Sequence, residues 1–139
     1  MKFFDFLKKF FQKKEEELTI EAQKWNKMWD LWVEEEADSP YAELMTYQSE
    51  VNNGGHMQFF DNGSNTDDLS KNMEVLYSIL EGTLRENIEK AYNAFLAYDE
   101  NDENDTISEI MDECDDVFYA NESEIERILQ EYADTIELD

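Results

Sequence analysis

Thirty-six carboxylates set against eleven lysines and arginines, one histidine and one cysteine define the chemistry open to this chain. The carboxylates are most ordered in the C-terminal third. There Glu109, Asp112, Glu113 and Asp116 fall at spacings that share the outer face of one expected helix, and Glu124, Glu131 and Asp134 the outer face of a second, with Glu126 towards the flank. Such a face suits charge-assisted contacts with ammonium and guanidinium groups. General acid-base work needs a singled-out pair, and among so many acids any chosen pair is arbitrary. His56 is the other residue type with chemical reach, as an acid-base group or a metal ligand. No Cys stands near it, no Glu or His lies at the helical spacing of zinc enzymes, and Asn53 occupies the place where a di-iron bundle carries Glu. The acidic run Asp99 to Asp105 begins like a calcium loop but fails at its sixth position, Asn104, and at its twelfth, Ile110. No phosphate-binding glycine loop is present. The expectation is therefore no catalytic residue, no metal and no cofactor.

The elements that position these groups read as helices. One proline and four glycines in 139 residues leave long uninterrupted segments, and 41% hydrophobic content is enough for one core. A single Cys excludes an internal disulfide, and Cys114 sits among apolar helix positions, where a buried thiol in a reducing cytoplasm is the expected state. The chain is expected to be an all-α, single-domain bundle of six to eight helices, divided into an amphipathic N-terminal helix over 1–16 and an acidic helical body over 17–139.

In chain order, Phe3, Phe4, Phe6, Leu7, Phe10 and Phe11 form one side of the first helix, with lysines mostly opposite. This helix is neither a secretory signal nor long enough to span a bilayer. It suits docking on the acidic body or on a second copy, contact with a membrane interface through residues 1–14, or a mobile arm. Thr19 is a candidate N-cap for a helix carrying Trp25, Met28, Trp29 and Trp32. Ser39-Pro40 opens the next, with Tyr41, Leu44, Met45, Gln48 and Val51 inward. Asn53-Gly54-Gly55 is expected to stop that helix in a sharp reversal that turns Gln58, Phe59 and Phe60 back into the fold, with a second turn at Asp61 to Asn65. Leu69, Met73, Leu76 and Leu80 mark a further helix. Thr83 with Glu86, Thr106 with Glu109, and Asn121 with Glu124 suggest capping boxes for three more.

Tyr47, Glu50-Val51, Asn53-Gly54-Gly55, Gln58-Phe59-Phe60 and Asn62-Gly63 together resemble the signature of a bacterial DNA-mimic protein family. The resemblance covers roughly Ser39 to Glu137. It implies a mostly helical acidic fold, homodimers, and occupation of the DNA-binding face of a transcription factor. Glu50, Asn53, Gly54, Gly55, His56, Gln58, Phe59 and Phe60 are then scaffold residues.

The charge distribution fits that reading. The net charge is −25; residues 1–27 carry seven lysines against five acids, so the rest of the chain holds −27. Such a body repels nucleic acid and anionic membrane and attracts basic proteins. Duplex DNA presents about one charge per 1.7 Å, which one helical stripe does not match. Two packed helices, one bearing Glu109, Asp112, Glu113 and Asp116 and the other Glu124, Glu131 and Asp134, come closer. The expected function is non-catalytic binding to a basic DNA-binding protein, a regulator or toxin, with no direct contact with nucleic acid. The alternative is a membrane-peripheral adaptor anchored by Phe3 to Phe11.

Overall fold

The computed structural model describes residues 18–66, 68–98 and 106–139. The Phe/Lys segment over 1–14 and the acidic run from Asp99 to Asp105 lie outside the described residues. Those that are described form five helices and no strand: α1 Ile20–Val33, α2 Tyr41–Ser64, α3 Leu69–Ile79, α4 Gly82–Leu96 and α5 Thr106–Asp134. The expected all-α class holds, while the expected count of six to eight helices is not reached among these residues.

The shortfall has a local cause. Asn121 was expected to begin a new helix, but its Nδ2 donates to the Val117 carbonyl one turn back at 2.8 Å. The side chain thus turns towards the preceding turn and leaves the ladder intact. The apolar seam of Phe118, Ile125 and Leu129, all fully buried, then continues through the site of the expected break. The two expected acidic helices are one helix of 29 residues. At 1.5 Å per residue it is about 43 Å long.

The glycine reversal is likewise a kink inside α2. Gly54 leaves the helical region at φ −157°, ψ 17°, and Gly55 takes φ 80°, ψ 179°, a region essentially reserved for glycine, after which helix resumes at His56. Phe59 and Phe60 do turn inward and are buried. The second expected turn comes later than Asp61: helix runs on to Ser64 and the chain turns at Asn65 and Thr66, where the Thr66 N–H donates to the Gly63 carbonyl at 3.2 Å. Gly63 permits this because a Cβ there would stand 2.8 Å from Leu69 Cδ1, at the start of α3. Thr83 also loses its capping role: α4 already begins at Gly82, which takes φ 55°, with Glu81 in the cap position. Thr19 does cap α1, accepting from the Ala22 N–H at 3.0 Å.

α5 is the central element, packing against α1, α2 and α4, while α3 covers α2. Tyr47, Phe60 and Phe118 are the largest fully buried side chains, packed with Met28, Leu44, Met45, Met73, Leu76, Leu80, Ile88, Ile125 and Leu129. Trp25, Trp29 and Trp32 are half-buried on α1, meeting edge-to-face, and the Trp32 indole N–H donates to Thr46 Oγ1 at 3.0 Å. At the far end Tyr132 stacks on Tyr41, centroids 4.2 Å apart, and its hydroxyl accepts from the Asp38 N–H at 2.8 Å. The C-terminal turn of α5 thereby holds the connection between α1 and α2.

Candidate functional site

The fold brings the expected binding carboxylates together more simply than the sequence suggests. Glu109, Asp112, Glu113, Asp116, Glu124, Glu131 and Asp134 are all exposed on α5. At 100° per residue they fall within an arc of about 120°, so they form one stripe along one helix rather than two rows on two helices. Arg127 stands within the stripe. Its guanidinium donates to Glu124 and to Glu131, in the latter case at 2.7 Å, and this tie holds the Glu124 carboxyl below the usual carboxylate range. Glu113 meets Lys90 of α4 at 3.3 Å across exposed side chains, and Asp134 accepts from Gln130. Exposed ion pairs of this kind contribute little to stability. Glu109, Asp112 and Asp116 have no cationic partner among the described residues.

The inward side of the same helix carries two acids that sequence reading passed over. Asp115 Oδ1 accepts both the backbone N–H of His56 at 2.8 Å and, at 2.6 Å, the ring Nδ1–H. On the opposite edge of the ring, Nε2 lies 2.6 Å from the Tyr47 hydroxyl. Burial pushes that hydroxyl well above the ordinary tyrosine range, with Cys114 and Asp115 adding in the same direction. Tyr47 therefore keeps its proton and donates it to Nε2, which assigns the ring hydrogen to Nδ1. The line Tyr47–His56–Asp115 has the connectivity of a nucleophile-base-acid triad. Tyr47 and His56 are fully buried, however, and the Asp115 side chain is only 21% exposed, so the line ties α2 to α5.

Glu122, two turns further on, accepts from Gln48 Nε2 at 3.0 Å and from Asn52 Nδ2 at 2.6 Å. Across the kink, Glu50 accepts from Gln58 Nε2 at 2.9 Å and Asn62 Nδ2 at 2.8 Å. The signature residues are thus brought into two polar clusters that straddle the bend, while Asn53 stays exposed. A Cβ on Gly55 would meet Asp115 Oδ2 at 2.5 Å and one on Gly54 would meet Gln58 Oε1, so both glycines allow close approach. A signal for the missed acids exists in the sequence. Met111, Asp115, Phe118, Glu122 and Ile125 alternate at four- and three-residue steps, which places both carboxylates on the inward seam.

Cys114 is buried as expected, and burial pushes its thiol up. No cluster of His, Cys, Asp and Glu suited to a metal occurs among the described residues, and no helix there is long and apolar enough to cross a membrane.

A family model described as DMP19-like protein matches residues 35–136, close to the span of the resemblance read from the glycine segment. Neither the curated proteins nor the solved structures compared with the chain match it. With well over half of its length matched, the chain belongs to the DMP19-like protein family.

Proposed function

We propose that this chain is a non-catalytic binding protein whose α5 stripe takes the place of nucleic-acid phosphate on the basic face of a DNA-binding protein, a regulator or toxin. The observation that carries the reading is the exposure of Glu109, Asp112, Glu113, Asp116, Glu124, Glu131 and Asp134 on one face of one unbroken helix. The DNA-mimic character implied by the family resemblance supports it. From Glu109 to Asp134 the seven charges span about 38 Å, one per roughly 5–6 Å, against about 3.4 Å per charge along one DNA strand. One stripe therefore imitates a thinned single row of phosphates, and the second row comes from a second copy of the chain. A partner that grips phosphate with Arg and Lys forms the same charge-assisted contacts with these carboxylates. Association is fast and weakens steeply with salt. With its net charge of −25 the chain makes no direct contact with nucleic acid.

The test is capture from bacterial lysate at low salt, with elution by a salt gradient and by duplex DNA. A defined DNA-binding protein that duplex DNA displaces is the expected result, with capture lost on changing Asp112, Asp116 and Glu131 to Lys. Capture that persists in this triple variant, or that DNA does not displace, rules the reading out.

A further inference from the structure

Leu18, Ala22, Trp25 and Trp29 follow one another at steps of four, three and four, which sets an apolar seam along one flank of α1. Leu18 is exposed and the other three are only half-buried, so the seam is incompletely covered. Two hollows run beside it. One of about 500 Å³ is walled by Leu18, Ala22, Trp25 and Glu126, and one of about 480 Å³ by Trp25, Trp29, Glu122 and Glu126. Sharing Trp25 and Glu126, they form one trough between α1 and α5 with apolar walls and an acidic rim.

The chain enters α1 at an angle to it. Thr19 is extended at φ −64°, ψ 159° and caps the helix, and Gln23 Nε2 donates to the Leu18 carbonyl at 3.0 Å. The residues before Leu18 therefore do not continue the α1 axis. The first fourteen of them supply a complement to the trough. They hold five lysines against one acid, a net of +4 in a chain of −25. Phe3, Leu7 and Phe10 repeat the seam's steps of four and three, and on a helix Lys8 borders their face on one side and Lys2 and Lys13 on the other. Helix-to-helix connections in bundles run to about two to eight residues, and five residues separate Lys14 from Ile20. An antiparallel return through them sets Phe10 level with Ala22, Leu7 with Trp25 and Phe3 with Trp29, each pair equidistant in sequence from Glu16. A second copy lacks this tether, which gives an effective concentration on the order of millimolar, and brings its own charge of −25 against the acidic rim.

We propose that the α1–α5 trough is the docking site of this chain's own N-terminal segment, which folds back on α1 as a helical hairpin with Phe3, Leu7 and Phe10 against Ala22, Trp25 and Trp29. The lysines bordering the apolar face meet Glu122 and Glu126. The seam stands before residue 35, outside the span matched to the family, so the docked segment is an addition to the family's domain. It is independent of what the stripe binds. With its phenylalanines covered, the segment has no apolar face to offer a membrane.

The test uses the full chain with cysteine pairs, the native Cys114 being buried. Phe10→Cys with Ala22→Cys should close on mild oxidation into a cross-linked monomer, seen by non-reducing electrophoresis. Phe10→Cys with Ile20→Cys is the control: Ile20 is exposed and nearer in sequence, but turned about 160° away from Ala22 around α1, too far for a disulfide. Equal closure of both pairs, or of neither, overturns docking. A cross-linked dimer gives the trough to a second copy and overturns this segment as occupant in its own chain. Loss of closure when vesicles of anionic phospholipid are added, with the chain sedimenting on them, gives the segment to the membrane and overturns the proposal as well. A second variant, Leu7→Asp with Phe10→Asp, should shift the indole N–H signals of Trp25 and Trp29 while that of Trp32, bonded to Thr46, stays in place; unmoved Trp25 and Trp29 signals also overturn it.

Discussion

Replacing Asp115 by Ala removes one oxygen that serves two donors on His56, the backbone N–H and the ring Nδ1–H. Each hydrogen bond to a charged acceptor is worth about 1.5–3 kcal/mol. Asp115 is partly open to solvent, so water replaces some of that, and the net loss should be about 2–4 kcal/mol. For 139 residues the unfolding entropy is about 290 cal/mol/K, so each kcal/mol moves Tm by about 3.4 °C. The expected fall is thus about 7–14 °C, read by circular dichroism at 222 nm and checked by urea unfolding. Asp115→Asn keeps an oxygen in the same place and should cost only about 1 kcal/mol. Asp112→Ala removes the same charge from the exposed stripe, relieves repulsion in a chain of net charge −25, and should stay within about 0.5 kcal/mol of the parent. If Asp115→Ala and Asp112→Ala behave alike, the Tyr47–His56–Asp115 line is not what joins α2 to α5.

Gly55→Ala places a Cβ at φ 80° and 2.5 Å from Asp115 Oδ2, so a loss of at least about 2 kcal/mol is expected in urea unfolding; a neutral result would contradict the observed kink. Burial raises Tyr47 above its usual value of 10.0, so the unfolded chain loses that proton first as pH climbs. The stabilising term is fully present below pH 10 and is lost as pH rises above it, at up to about 1.4 kcal/mol per pH unit. Thermal scans from pH 9 to 11.5 should show a shallower decline in Tyr47→Phe than in the parent. Arg127→Gln should raise the titration midpoint of the Glu124 carboxyl, followed by carbon NMR, and should tighten capture of the basic partner at low salt; an unchanged midpoint would mean the pair does not persist in solution.

How much was legible in the sequence depended on whether the deciding interaction was local. Apolar spacing identified the inward faces carrying Leu44, Met45, Val51, Met73 and Leu76, because burial follows helical period. Thr19 was legible as a cap because its bond spans three residues. Asn121 was not, since a residue that often begins helices was carried through one by the apolar seam on either side of it. The glycine pair marked a special backbone, yet its outcome, a kink rather than a reversal, rests on Asp115, 60 residues away from Gly55. Among the ten acids of α5, sequence favoured the exposed ones; Asp115 and Glu122 were hidden by their number, and only seam position set them apart.

The break at Gly54-Gly55 also means that the second half of α2 starts afresh at His56, with first-turn N–H groups that no preceding turn can satisfy. Asp115 meets the first of these, so it is an N-cap lent by another helix, a carboxylate at the positive end of a helical dipole. An isolated peptide covering residues 56–64 lacks that cap and is too short to hold helix unaided. Its ordering is therefore tied to the arrival of α5, and the segment that carries Phe59 and Phe60 should gain amide protection together with α5 during refolding.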